Sequence, residues 1–132
     1  MANRRMFSMT IIDTDAFLEM PDSSQVLYFH LAMRADDDGF ISNPKRIARM
    51  IGSSDDDLKL LVTKEFLIPF ESGVCVIRHW RLHNYIRKDR YTPTFHKFEK
   101  SLIGLTDNNS YTVNPNEMVD RPPDEKKTGD ER

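Results

Sequence analysis

Apolar residues recur at helical spacing twice in the middle of the chain, which predicts two short consecutive helices. Asn43 and Pro44 are typical of a helix start, because Asn can cap the first turn and Pro has no N–H that would be left unpaired there. Gly52 can end this helix in the left-handed conformation. Ser53 and Ser54 can cap the second helix. The apolar positions of the two helices are Ile47, Met50, Ile51, Leu58, Leu61, Val62 and Phe66.

A β-hairpin is predicted directly after the second helix. Its strands are residues 67–70 and 74–79, linked through a turn that contains Gly73. Pro69 cannot donate to a ladder, so its strand should lie at an edge. Phe40 and Ile41 are expected to add a small strand to the same sheet. Two helices followed by a hairpin predict an α+β, mainly α fold: a winged helix-turn-helix with a small hairpin wing, which is chiefly used to bind DNA.

The N-terminal part has a helix that is apolar nearly all round. Residues 6–12 are expected to form a short strand and residues 13–20 a helical turn, and a longer helix capped by Asp22 or Ser23 should run to about residue 34. A helix without a polar face is covered on several sides. One side can meet the two following helices, and another can meet the N-terminal strand or a second subunit. We therefore predict a homo-oligomer with an interface on Val26, Phe29 and Met33.

The chain after the hairpin is less regular. The segment that follows Trp80 can be a helical turn or an extended strip packed on the core, and residues 95–105 can form a short helix with Phe95, Phe98 and Leu102 on one side. From Thr106 onward, polar residues and proline dominate, a composition that cannot bury enough apolar surface to fold. We therefore expect a winged-helix domain at 1–105 and a polar, disordered tail at 106–132.

Positive charge is concentrated after the hairpin although the whole chain carries a net charge of −2. Residues 78–100 hold seven Lys and Arg and three His against only Asp89 and Glu99. Such cations neutralise phosphates, and interleaved aromatic, Asn and His side chains can meet sugars or bases. The alternative is an ordinary solvated edge. We expect the wing and the basic strip after it to contact phosphates, and the predicted DNA-binding residues are Lys45, Arg46, Arg49, Arg78, Arg81, His83, Asn84, Arg87, Lys88 and Arg90.

The second helix is a poor candidate for reading bases. Its first turn contains Asp55, Asp56 and Asp57, which phosphates would repel where a recognition helix enters the major groove. Helix capping and the helix dipole explain these aspartates better.

Other chemistry finds little support in the sequence. No phosphate-binding loop or catalytic motif occurs, so we expect no enzyme and no cofactor. Cys75, His79 and His83 lack a fourth ligand, so we expect no metal. The run from Asp36 to Gly39 is expected to be a turn. A single Cys and the lack of a long apolar run favour the cytoplasm, with no membrane contact.

Several separated motifs resemble one family. They are FLEMP at 17–21, YFHL at 28–31, RADDDGF at 34–40, MIG at 50–52, DDLKLL at 56–61 and HWRLHNYIRKDRY at 79–91. Over about residues 4–105 the chain resembles the N-terminal domain of phage and prophage replisome organisers of Gram-positive bacteria, which are related to DnaD-like primosomal proteins. The resemblance implies a winged-helix domain that binds origin or single-stranded DNA, or self-associates, in the cytoplasm of a bacterial host.

Longer members of that family continue into a second, helicase-contacting domain, where this sequence has a short polar tail. DNA binding and oligomerisation are therefore what the resemblance implies for this chain, with the replicative helicase or its loader as a further candidate partner. Two alternatives stay open at the level of sequence. A winged-helix transcriptional regulator would use the same fold, and an oligomerisation module would use the apolar helix without binding DNA.

Overall fold

The computed structural model describes residues 4–119 as an α+β structure that is mainly helical. Among these residues, no helix is long and apolar enough to cross a membrane. The helices are α1 (Met9–Ile12), α2 (Asp15–Leu18), α3 (Asp22–Met33), α4 (Pro44–Met50), α5 (Asp55–Thr63), α6 (Trp80–His83) and α7 (Lys97–Ser101). The strands are β1 (Phe40–Ile41), β2 (Leu67–Pro69), β3 (Cys75–Ile77), β4 (Gly104–Leu105) and β5 (Tyr111–Thr112), and a 3-10 turn spans Pro115–Glu117.

Helix α3 lies at the centre of the core. Leu27, Tyr28 and Leu31 are fully buried, and the helix packs against both α4 and α5, as its apolar composition predicts. Phe17 of α2 and Phe66 contact the Tyr28 ring edge-on, with ring centroids 5.3 and 5.7 Å away. Aromatic pairs in this geometry add to the stabilisation that burial alone provides.

The two central helices begin where the sequence predicts, but the Asn43 side chain makes no capping hydrogen bond, and α5 ends at Thr63, before Phe66. Pro44 is the first residue of α4, and Gly52 (φ +80°) follows its end in the left-handed conformation. Ser54 caps α5 in a capping box with Asp57: the Asp57 N–H donates to Ser54 Oγ, and the Ser54 N–H donates to Asp57 Oδ2. The Asp57 carboxylate also accepts from Ser23 Oγ at 2.7 Å, which ties the start of α5 to the start of α3. The prediction that Asp57 serves capping is confirmed.

The three-stranded sheet is antiparallel, with the order β1-β3-β2. Val76 in the central strand faces Phe40 on one side and Ile68 on the other. The predicted small strand at Phe40 is therefore confirmed, and Pro69 lies on an edge strand as expected. The hairpin strands are shorter than predicted, because the ladder of β3 ends at Ile77 and a turn leads into α6.

The N-terminal strand predicted at 6–12 is wrong. Met9–Ile12 forms a short helix that begins after Ser8, whose hydroxyl accepts the N–H of Thr10. A capped single turn satisfies the backbone locally. The helical turn predicted within 13–20 is confirmed as α2, capped by Thr14. Helix α3 lacks the side-chain cap expected of Asp22 or Ser23, since Pro21 stands at that position.

The prediction places the start of the tail, at residue 106, too early in the chain. Strands β4 and β5 pair as a second, two-stranded antiparallel sheet, and Tyr111 is buried. The Tyr111 N–H donates to the carbonyl of Arg78, and the phenol donates to the carbonyl of Asp38. One buried aromatic side chain and these hydrogen bonds hold a segment whose average composition is polar. Residues 120–132 of the predicted tail lie outside the described residues. The helix predicted within 95–105 is α7, which is shorter than that window.

Candidate nucleic-acid interface

Three exposed cations after the hairpin lie in a short turn at residues 87–90, which we call the basic loop. Arg87, Lys88 and Arg90 are exposed in it. The Arg90 N–H donates to the carbonyl of Arg87, which closes the turn. The Arg87 guanidinium lies 3.2 Å from the Asp89 carboxylate, and both side chains remain largely exposed. An ion pair this exposed contributes little to stability, so the guanidinium remains available to a phosphate.

The N-terminal side of the basic loop is anchored by helix α6. Trp80 is buried, and its indole N–H donates to the carbonyl of Asp37 at 2.9 Å. Arg5 lies over the Trp80 ring at 5.2 Å from the centroid and donates to the carbonyl of Ala35. Of the two alternatives left open after Trp80, the segment is a helical turn as far as His83, and the chain is extended at Asn84.

The C-terminal side of the loop is anchored by Asp36, Asp37 and Asp38, which we call the aspartate hub. The Tyr91 hydroxyl donates to both carboxylate oxygens of Asp38 at 2.8 Å. The Thr94 N–H donates to Asp38 at 2.8 Å, and the Thr94 hydroxyl donates to Asp36. Asp37 accepts the backbone N–H of the residue between them, Thr92, at 3.0 Å.

Charge supports these contacts. Lys100 of α7 lies 3.4 Å from the Asp38 carboxylate, and Arg5 lies 3.5 Å from Asp37. Burial and the nearby Asp38 carboxylate raise the pKa of Tyr91, so its phenol stays protonated and donates. The hub includes the turn predicted from the sequence, but its role as an anchor was missed. Tyr91 and Thr94 carry no local signal for it, because their partners lie more than 50 residues away.

Two of the predicted DNA-binding residues are engaged inside the fold. His83 is only 4% exposed. Its Nδ1 accepts the N–H of Ser8 at 2.8 Å, which puts the ring proton on Nε2, 2.6 Å from the Tyr28 hydroxyl. Asn84 accepts the N–H of Met6 through Oδ1 at 2.8 Å. Both side chains hold the N-terminal segment, so we remove them from the candidate interface.

Burial also changes the chemistry of the two histidines in this region. Desolvation lowers the pKa of His83 to about 4. Desolvation, with smaller contributions from Arg78 and His83, lowers the pKa of His79 to about 4. Neither ring carries a positive charge near neutral pH, and neither can attract a phosphate.

The remaining predicted cations lie on two other elements. Arg78 and Arg81 are half-buried beside α6. The charge of Arg81 opposes the rise in the Tyr91 pKa, so the guanidinium is close to the C-terminal anchor of the loop. On α4, the exposed cations face away from the buried residues Ile47 and Ala48; they are Lys45, Arg46 and Arg49.

A groove of about 650 Å³ separates α4 from the segment that follows the basic loop. Arg46 and Met50 line it from α4, and residues 92, 93, 95 and 96 line it from the opposite side. Arg34, at the C-terminal end of α3, completes a cationic rim. The structure therefore brings one cation of α4 next to the C-terminal anchor of the basic loop.

The second helix and the hairpin tip offer little to a phosphate. Asp55 and Asp56 are exposed at the start of α5. The exposed cations Lys59 and Lys64 lie further along, Lys59 within the helix and Lys64 directly after it. The tip of the hairpin contains Glu71, and Ser72 donates there to Glu99 at 2.7 Å. The expectation that the wing itself supplies cations is therefore corrected, since its strands and tip contain no Lys or Arg.

The predicted oligomer interface on α3 is exposed only in part. Val26 and Met33 are 47% and 49% exposed. Phe29 is half-buried under the N-terminal segment, where it contacts Phe7 and Phe17 edge-on, with ring centroids 4.9 and 5.7 Å away. The N-terminal segment thus covers one of the three residues.

Comparison of the chain with protein-family models, curated proteins and solved structures finds no match.

Proposed function

We propose that this chain is a non-enzymatic DNA-binding protein that contacts phosphates through the basic loop and the exposed face of α4. The observation that carries the proposal is the anchoring of the loop. Arg87, Lys88 and Arg90 project from a turn between two fixed points, the buried Trp80 on its N-terminal side and the half-buried Tyr91, which donates to Asp38, on its C-terminal side. A loop held in this way loses little conformational entropy when it binds.

The topology supports a winged helix-turn-helix. The order α3-β1-α4-α5-β2-β3, with a sheet ordered β1-β3-β2, is the arrangement expected of that fold. In the proposed complex the segment after the wing supplies most of the phosphate contacts. Helix α5 reads no bases, because the aspartates at its start would meet the backbone first.

The resemblance to phage replisome organisers supports a role in the initiation of DNA replication in the cytoplasm of a bacterial host. In that role the replicative helicase or its loader is a candidate partner. A transcriptional regulator is disfavoured, since it needs a reading helix and the start of α5 is acidic. Homo-oligomerisation through Val26 and Met33 is compatible with DNA binding and is proposed beside it.

The salt dependence of binding tests the proposal. Each lost phosphate contact reduces the slope of log affinity against log salt by about 0.9 on duplex DNA. Arg87→Ala with Lys88→Ala should therefore reduce the slope by about 2 on every duplex sequence. The matched control is Lys59→Ala with Lys64→Ala, which removes the same charge from exposed positions of α5.

Fluorescence anisotropy with a labelled random duplex, titrated at several salt concentrations, measures both slopes. The loop variant should weaken binding and flatten the slope, and the α5 variant should change neither quantity strongly. If the loop variant binds the duplex as the wild type does and the α5 variant does not bind it, α5 is the element that contacts DNA and the proposal is refuted. Thermal melting of both variants confirms that the fold is intact.

A further inference from the structure

The groove between α4 and residues 92–96 has exposed cations at its rim and a buried lining that is mostly apolar but includes Asp37. Its volume of about 650 Å³ is in the range of small-ligand sites in proteins. Phe40, Ile41 and Ile47 line the floor and are buried, whereas Arg34 and Arg46 line the rim and are exposed. An apolar floor below two guanidinium groups suits a ligand that has a flat apolar part and an anionic part.

Phe95 stands at the rim with its ring almost entirely in solvent. It is 89% exposed, the highest value among the exposed large apolar residues. The neighbouring residue fixes its backbone, since His96 Nε2 lies 2.9 Å from Ser42 Oγ and the His96 N–H donates to Thr94. An aromatic ring that contributes nothing to the core, on a segment held on both sides, is available as a stacking surface.

The charges at the groove separate by depth. Arg34 is held at the rim by hydrogen bonds to the carbonyl and ring of His30, at 3.1 and 3.0 Å. The carboxylates of Asp36 and Asp37 also line the groove, but they are occupied by the contacts of the aspartate hub. An anion would therefore bind at the rim, near the guanidinium groups, and an uncharged ring could enter the groove.

We propose that the groove holds an unpaired nucleobase, stacked on Phe95, while the flanking phosphates contact Arg34 and Arg46. This inference rests on the proposed function and deepens it, because it assigns a single strand to this part of the surface. A base inside a duplex is stacked and paired, so it cannot reach such a groove without being extruded. The basic loop contacts phosphates of either form of DNA.

Two exposed phenylalanines provide a matched pair of variants. Phe98 is 71% exposed on α7 and does not line the groove, so Phe98→Ala removes the same ring from the surface outside the site. The probe is fluorescein-labelled oligothymidine of about 16 nucleotides, near the upper limit of what one small domain covers. Loss of one stacked base should weaken binding of Phe95→Ala by about 5- to 150-fold.

Phe98→Ala should bind the strand as the wild type does, and Phe95→Trp should retain the affinity, since its larger ring also stacks. A random duplex should bind wild type and Phe95→Ala equally. An abasic strand of the same length keeps the phosphates and lacks the bases, so it should bind wild type and Phe95→Ala equally as well.

The outcomes separate the two proposals. Equal affinity of Phe95→Ala and Phe98→Ala for oligothymidine would overturn the base site. If Phe95→Ala loses as much affinity for abasic or duplex DNA as for oligothymidine, the base site is also overturned, because loss of base stacking cannot then explain the weaker binding. A wild-type protein that binds duplex but no single strand would overturn this inference alone, whereas failure to bind either form would overturn the proposed function as well.

Discussion

The buried ring of His83 makes the stability of the fold depend on pH. Desolvation lowers its pKa from 6.5 to about 4. The unfolded chain therefore binds a proton near pH 6.5 that the folded chain does not bind until about pH 4, and stability is lost as the pH falls through this window. Between pH 7 and pH 5, His83 alone should lower the free energy of unfolding by about 2 kcal/mol.

The substitution His83→Gln isolates this contribution, since glutamine does not titrate. It should destabilise the protein at pH 7, because two buried hydrogen bonds are disturbed, and it should also make the fall between pH 7 and pH 5 smaller by about 2 kcal/mol. Urea unfolding at the two pH values measures the change. His79→Gln is a useful comparison, because the pKa of His79 is also lowered to about 4 although its ring does not accept the Ser8 N–H.

Protonation of His83 has a local consequence as well. A charged ring has no lone pair for the Ser8 N–H, so the N-terminal segment should loosen before the core unfolds. The protection of the Ser8 amide, which is its hydrogen-exchange rate compared with the intrinsic rate at the same pH, should therefore fall on acidification in the wild type and in His79→Gln. The reasoning is refuted if wild type and His83→Gln lose the same stability between pH 7 and pH 5.

Three further outcomes are expected. Gly39→Ala should lower the free energy of unfolding, measured by chemical denaturation, by about 3 kcal/mol or more, because Gly39 has φ +91° and a Cβ there would lie 2.6 Å from the Trp80 ring. The control Gly73→Ala, with φ +93° and open space around the new Cβ, should lower it by only about 1–2 kcal/mol. Tyr111→Ala should destabilise the domain by about 3–5 kcal/mol. An unchanged melting temperature would show that residue 111 belongs to the tail and does not stabilise the domain. In sedimentation at tens of micromolar, roughly the range of moderate affinities, the wild type should be a dimer or larger. The double variant Val26→Lys with Met33→Lys should be a monomer. A monomeric wild type would contradict the proposed interface.

Local signals in the sequence were sufficient for the central elements. Gly52 and Ser54 make hydrogen bonds with residues that are near in sequence, and Pro44 suits a first turn by its own geometry, so these helix ends could be predicted, whereas the predicted side-chain cap at Asn43 is not formed. The edge position of Pro69 follows from a missing N–H, which is a property of the residue itself. Asp57 was also correctly assigned to capping, because its partner Ser54 is near in sequence.

The anchoring of the candidate site could not be predicted in this way. His83 and Asn84 accept from backbone groups of the N-terminal segment, 75 and 78 residues away, His83 also pairs with Tyr28, and nothing near either residue in sequence indicates these partners. A polar side chain in a basic, aromatic segment has the same sequence pattern whether it faces solvent or closes a buried contact. Tyr111 was missed because average composition hides a single buried ring.

The aspartate hub also determines when the candidate interface can form during synthesis. The partners of Asp38 at Tyr91, Thr94 and Tyr111 follow it by 53, 56 and 73 residues. At elongation rates of about 5–20 residues per second, the last of these partners is made roughly 4 to 15 s after the aspartate. The carboxylate of Asp38 meets its partners at Tyr91 and Thr94 first and its backbone carbonyl meets Tyr111 last, so the surface proposed to bind DNA is completed only after synthesis has passed Tyr111.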